Sequence, residues 1–119
     1  TACREAASLR PDWVQAQNNL GIALAEGEKD DDAAAAFKKA IALDPSHAGA
    51  HNNLGMILVR QGRSAEAIAE FREAVRLQPN YAHAHYQLAE ALSEAGLREE
   101  AAKHAQWAAR INPAFGGRK

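Results

Sequence analysis

Cysteine, aromatic side chains and net charge are all scarce in this 119-residue chain, and each shortage removes a class of protein. The one cysteine, Cys3, rules out an internal disulfide framework. It reads as a small helix-packing residue rather than a reactive thiol, because free cysteine behaves as a small buried hydrophobe. Aromatics make up 6% of the residues against a hydrophobic content of 47%, so the apolar total leans on alanine, which suits helices packed closely face to face. A net charge of -1 gives no electrostatic reason to expect nucleic acid or an anionic membrane as partner. No run approaches the roughly 18 apolar residues that span a bilayer. The charge is unevenly spread: residues 14–47 carry Glu26, Glu28, Asp30, Asp31, Asp32 and Asp44 against Lys29, Lys38 and Lys39, so an acidic segment precedes a mildly basic one.

What the chain does have is repetition. Asn18-Asn19-Leu20-Gly21-Ile22-Ala23-Leu24 returns as Asn52-Asn53-Leu54-Gly55-Met56-Ile57-Leu58 and, degraded, as Tyr86-Gln87-Leu88-Ala89-Glu90-Ala91-Leu92, each copy 34 residues after the last. Pro11, Pro45, Pro79 and Pro113 keep the same step, as do Ala33, Ala67 and Ala101. Periods of this size mark solenoids, whose units bury a core only by stacking on their neighbours.

The pattern resembles the tetratricopeptide repeat (TPR), a helix-turn-helix unit with Leu-Gly/Ala in its first helix, Ala-x3-Phe in its second and Pro near its end. Here it reads Leu20-Gly21, Ala33, Phe37, Ala40 and Pro45, then Leu54-Gly55, Ala67, Phe71, Ala74 and Pro79. The third copy has Leu88-Ala89, Ala101, Ala108 and Pro113, with Ala105 where Phe is expected. The family's Trp early in the first helix is replaced by Gln17, His51 and His85. The resemblance implies an all-α, right-handed superhelical solenoid of antiparallel helix pairs. Units are expected over 12–45, 46–79 and 80–113, after the second helix of a truncated preceding repeat (1–11) and before a frayed tail (114–119).

Taken in order, residues 1–10 put Cys3, Ala6 and Leu9 at second-helix positions. Asp12 is the expected N-cap of the next helix, which Gly27 should end as a C-terminal glycine does. Ala16, Leu20, Ala23 and Leu24 form its apolar stripe, and Gly21 lets the partner helix approach. Asp30, Asp31 and Asp32 read as first-turn residues favoured by the helix dipole, not as a metal site. Ser46 is expected to cap the following helix and Gly62 to end it, with Gly96 in the same role one unit later. Ala102, Ala105 and Ala109 form a face thin in hydrophobic bulk, as a last unit would have.

Opposite the apolar stripe, helical spacing collects a second set on each first helix: Gln15, Asn18, Asn19, Ile22, Ala25 and Glu26; Gly49, Asn52, Asn53, Met56, Val59 and Arg60; His83, Tyr86, Gln87, Glu90, Ser93 and Glu94. The resemblance places these along a concave, peptide-binding groove. Side-chain amides carry both donors and an acceptor, so the row Asn19, Asn53, Gln87 can hydrogen-bond an extended peptide backbone. This row looks similar to the asparagine ladder in the TPR domain of O-linked N-acetylglucosamine transferases. A TPR subtype that grips the C-terminal carboxylate of heat-shock chaperones uses Lys, Asn, Asn, Lys and Arg; the corresponding positions are Asn18, Ile22, Asn53, His83 and Gln87, and only Asn53 matches. Without the cations, strong pairing to a carboxylate is not expected.

The five histidines suggest no metal or catalytic centre: His47 and His51 straddle a helix start, His83 and His85 point to different faces, and His51 and His85 sit at packing positions. No nucleophile–base spacing stands out. The expectation is a non-enzymatic scaffold, with no cofactor and no metal, that binds a partner protein's peptide. Two alternatives stay open: a module that self-associates through exposed solenoid ends as a homo-oligomer, and the recruiting domain of a larger enzyme. A cytoplasmic location is the default expectation.

Overall fold

The structure, a computed structural model, describes residues 11–112, so the helix expected before Pro11, with Cys3, and the expected tail lie outside the described residues. Six helices follow one another: α1 Pro11–Glu26, α2 Asp30–Leu43, α3 Ala48–Arg60, α4 Ser64–Leu77, α5 Ala82–Glu94 and α6 Arg98–Ile111. Among the described residues there is no strand, and no helix is long and apolar enough to cross a membrane. The helices pack as pairs, α1 on α2, α3 on α4 and α5 on α6, while α2 packs on α3 and α4 on α5. The result is an all-α solenoid of stacked helix pairs. Contacts also join α1 to α3 and α3 to α5, which lines up the first helices on one face.

One core runs through the stack, with Phe37, Leu54, Ile57, Leu58, Phe71, Leu88 and Leu92 buried around Ala33, Ala67 and Ala101. Its thickness is set by glycine against phenylalanine. A Cβ built on Gly21 would lie 2.5 Å from Phe37 Cε1, and one on Gly55 would lie 2.7 Å from Phe71 Cε1. At the corresponding repeat positions the third pair carries Ala89 and Ala105, so removal of the ring coincides with arrival of the methyl.

The apolar stripe of α1 is not buried as expected. Leu20 is 47% exposed, whereas its repeat counterparts Leu54 and Leu88 are 3% and 0% exposed. The physical reason lies in the stacking order: Leu54 and Leu88 are covered by the second helix of the pair before them, and no described element precedes α1. Ala16 and Ala23 are exposed with Leu20.

The helix ends also depart from expectation. Gly27 does follow the last residue of α1, but the left-handed residue is its neighbour Glu28, at φ 62°, where the other two turns place Gly62 and Gly96 at 79° and 88°. All three turns close with the same pair of bonds: Glu28, Gly62 and Gly96 N–H donate to Ala25, Val59 and Ser93, and the next residues donate to Leu24, Leu58 and Leu92. This double closure is the Schellman arrangement, which favours glycine at the left-handed position. Substituting Glu28→Gly should therefore raise the free energy of unfolding by about 0.5–1 kcal/mol, since the relieved steric cost exceeds the added chain entropy. Urea denaturation measures it, and a destabilised variant would show that Glu28 holds the turn by its side chain. At the start of α3 the capping side chain is His47, whose Nδ1 accepts from Ala50 N–H at 3.0 Å, and not Ser46. The second helices end at non-helical Asp44, Gln78 and Asn112 because a following proline disfavours helical backbone.

Candidate functional site

Between α1 and α3, over Phe37 of α2, lies an open cavity of about 220 Å³, lined by Ile22, Ala25, Glu26, Phe37, Asn53, Met56, Ile57 and Arg60. Six residues expected in the groove, Ile22, Ala25, Glu26, Asn53, Met56 and Arg60, thus converge on one concavity. Its floor is apolar because Gly21 admits Phe37 close beneath α1, and its rim is polar.

Other expected groove residues are placed differently. Asn18 and Asn52 are 6% and 1% exposed. The first helices run close enough together that this register position is closed off. Asn18 Oδ1 accepts from Asn53 Nδ2 at 3.0 Å, tying α1 to α3. Asn52 is hydrogen-bonded to the Tyr81 hydroxyl, while burial pushes that phenol's pKa up. These two amides hold neighbouring units in register. On the exposed side, Gln15 Nε2 donates to Asn19 Oδ1 at 3.1 Å, and Gln87 Nε2 donates to His83 Nε2 at 3.2 Å. Tyr86 is half-buried and Glu90 exposed. Arg60 is held at the unit boundary: its guanidinium pairs with Asp30 at 2.8 Å and donates to Ala25 O at 3.0 Å.

The histidines form a device that the single-residue reading missed. His51 Nε2 donates to Pro45 O at 2.9 Å and His85 Nε2 to Pro79 O at 2.8 Å, so each ring fastens a first helix to the loop before it. The second ring nitrogens diverge. His51 Nδ1 lies 2.8 Å from Glu70 Oε1, whereas His85 Nδ1 lies 3.0 Å from His104 Nδ1. With His85 Nε2 as a donor, the neutral His85 ring accepts at Nδ1 and His104 donates. The signal was present in the sequence, since Glu70 and His104 occupy one repeat position. Both rings stack near Trp107, His85 at 4.9 Å and His104 at 6.3 Å between centroids.

Burial pulls the His104 pKa below its ordinary value of 6.5, and the neighbouring His85 adds to the shift while Glu100 opposes it. The folded state then holds fewer protons than the unfolded chain. The share of stability that depends on this ring is complete above pH 6.5 and is lost as the pH falls from there through the depressed folded-state value. The melting temperature should fall as the pH is lowered below about 6.5. In His104→Glu, which supplies the partner that His51 has in the second unit, that drop should disappear; an unchanged drop would assign it to another group.

A family description, tetratricopeptide repeat, matches residues 1–48, 18–82 and 52–114. Among solved structures, MamA superposes with a TM-score of 0.79 at 26% identity, covering 88% of this chain and 61% of that one. The chain therefore spans about three-fifths of MamA's length. The second TPR of Spaghetti (RPAP3), solved bound to the HSP90 peptide SRMEEVD, has a TM-score of 0.86 at 19% identity, covering 91% of this chain and 99% of that one. The first TPR of the same protein, also bound to that peptide, has 0.84 at 22%, covering 86% and 81%. At these identities the two Spaghetti domains share the fold alone. No curated protein sequence matches the chain.

Proposed function

The chain belongs to the tetratricopeptide repeat family, and from that premise we propose that it is a non-enzymatic scaffold holding a partner protein's peptide in the groove of α1, α3 and α5. The observation that carries this reading is the convergence of Ile22, Met56, Asn53 and Arg60 on one cavity, an apolar hole with an amide at its rim. Such a hole receives a side chain while the amide meets the backbone beside it. Asn53 uses Nδ2 on Asn18, which leaves Oδ1 to accept from a peptide N–H. Asn19 and Gln87 continue the row on either side. The SRMEEVD complexes of the Spaghetti domains do not carry over, because the cations a carboxylate clamp needs are absent at Asn18, Ile22, His83 and Gln87.

The test uses a peptide selected on the immobilised chain from a displayed random library. Asn19→Ala and Asn53→Ala should each weaken it by about 1 kcal/mol, roughly fivefold in Kd, with circular dichroism unchanged. Affinity indifferent to both substitutions would reject the amide row. Exposed Trp13 and Leu20, at 54% and 47%, support a second reading, self-association through the first unit. A molar mass that rises with concentration in light scattering, and does so less in Leu20→Ser, would favour it.

A further inference from the structure

Repeat register sorts the first-helix face into rows, and the rows change character along the stack. Ile22 and Met56, which line the cavity, are continued on α5 by Glu90; Glu26 and Arg60, on its rim, are continued by Glu94. The apolar hole therefore gives way to carboxylates one unit further on. Glu26, Glu90 and Glu94 are all exposed, and no ion pair joins any of them to another described residue. The one cation of these rows, Arg60, is neutralised by Asp30 and held by Ala25 O. The face thus offers three uncompensated carboxylates beside one apolar cavity.

We infer that the groove's occupant is a basic peptide, extended, with an apolar side chain in the α1–α3 cavity and a lysine or arginine over Glu90 and Glu94 of α5. This rests on the groove reading above and adds its charge and spacing. An acidic peptide would bring its carboxylates against three unpaired ones, a juxtaposition that suppresses wrong partners. A basic one gains charge-assisted hydrogen bonds. The spacing follows from dimensions: packed helix axes lie about 8–10 Å apart and an extended chain advances about 3.3 Å per residue. The cavity lies between α1 and α3, about one and a half such steps from α5, so the apolar and basic side chains should stand about four residues apart. Either chain direction satisfies the rows, so the two residues can come in either order.

Selection from the displayed random library on the full chain should enrich peptides with an aliphatic or aromatic residue about four positions from Lys or Arg. The strongest, made synthetically with a fluorophore, should lose roughly fivefold in affinity on Glu90→Gln/Glu94→Gln, and should weaken as salt rises. Both sites are exposed, so the double variant keeps the fold. Two results overturn the inference. If the selected peptides are acidic or uncharged and ignore the double variant, yet weaken on Asn53→Ala and Met56→Ala, the charge assignment fails and the groove stands. If they ignore those substitutions as well, or none is enriched, the groove fails with it.

Discussion

Leu54→Ala lowers the free energy of unfolding by about 2–5 kcal/mol, while Leu20→Ala at the same repeat position costs less than about 1 kcal/mol. The two leucines share their neighbours in sequence and differ in what lies over them. Leu54 is 3% exposed and belongs to the continuous core with Phe37, Ile57 and Leu88. Truncating it removes buried methyl groups and leaves a cavity that the surrounding helices close only in part. Leu20 is 47% exposed, so its truncation removes little that was sheltered from water. A domain of this size has a stability of about 5–15 kcal/mol, so the Leu54 variant is visible in any urea titration. Equal losses at the two sites would mean that α1 is covered in solution, either by the chain's first residues or by another copy.

The fold was legible because three copies of one pattern vote on the same register. Gly21 reads as a close-approach residue and lies against the Phe37 ring, and its repeat counterpart Gly55 lies against Phe71 in the same way. Periodicity assigns a residue to a helical face but cannot say how closely the next helix covers that face. That is why Asn18 and Asn52 read as groove residues yet are buried between first helices. It is also why Leu20 read as core: its stripe is apolar, and burial depends on a neighbour that lies elsewhere in the chain. Caps were less legible for a local reason. Ser46 and Gly27 are favoured types next to the true positions, and His47 and Glu28 hold those positions through an imidazole acceptor and a strained backbone angle. The cavity itself was out of reach, because Phe37 reaches it from a second helix and Ile57 from a position outside the groove-facing set.

The third unit's exchange of ring for methyl makes a stronger prediction, in which one substitution changes sign with its background. Phe71→Ala alone should cost about 3–5 kcal/mol, since the ring is fully buried and its loss opens a cavity against α3. Gly55→Ala in the natural background should also destabilise. Its Cβ would stand 2.7, 2.8 and 3.0 Å from three ring atoms of Phe71, and a fully buried ring has little room to retreat. Overpacking of this kind costs about 1–3 kcal/mol, against which alanine's better helix propensity returns about 1 kcal/mol. With Phe71 already replaced by alanine the collision is gone, the added methyl fills part of the cavity, and the propensity gain remains. Gly55→Ala should then stabilise the Phe71→Ala variant by about 1 kcal/mol, reproducing the Ala89 and Ala105 combination of the third pair. A double-mutant cycle by urea denaturation reads the coupling directly. If Gly55→Ala destabilises by the same amount in both backgrounds, the glycine is required by something other than the ring, and the pairing of glycine with phenylalanine as the device that sets the helix spacing is wrong.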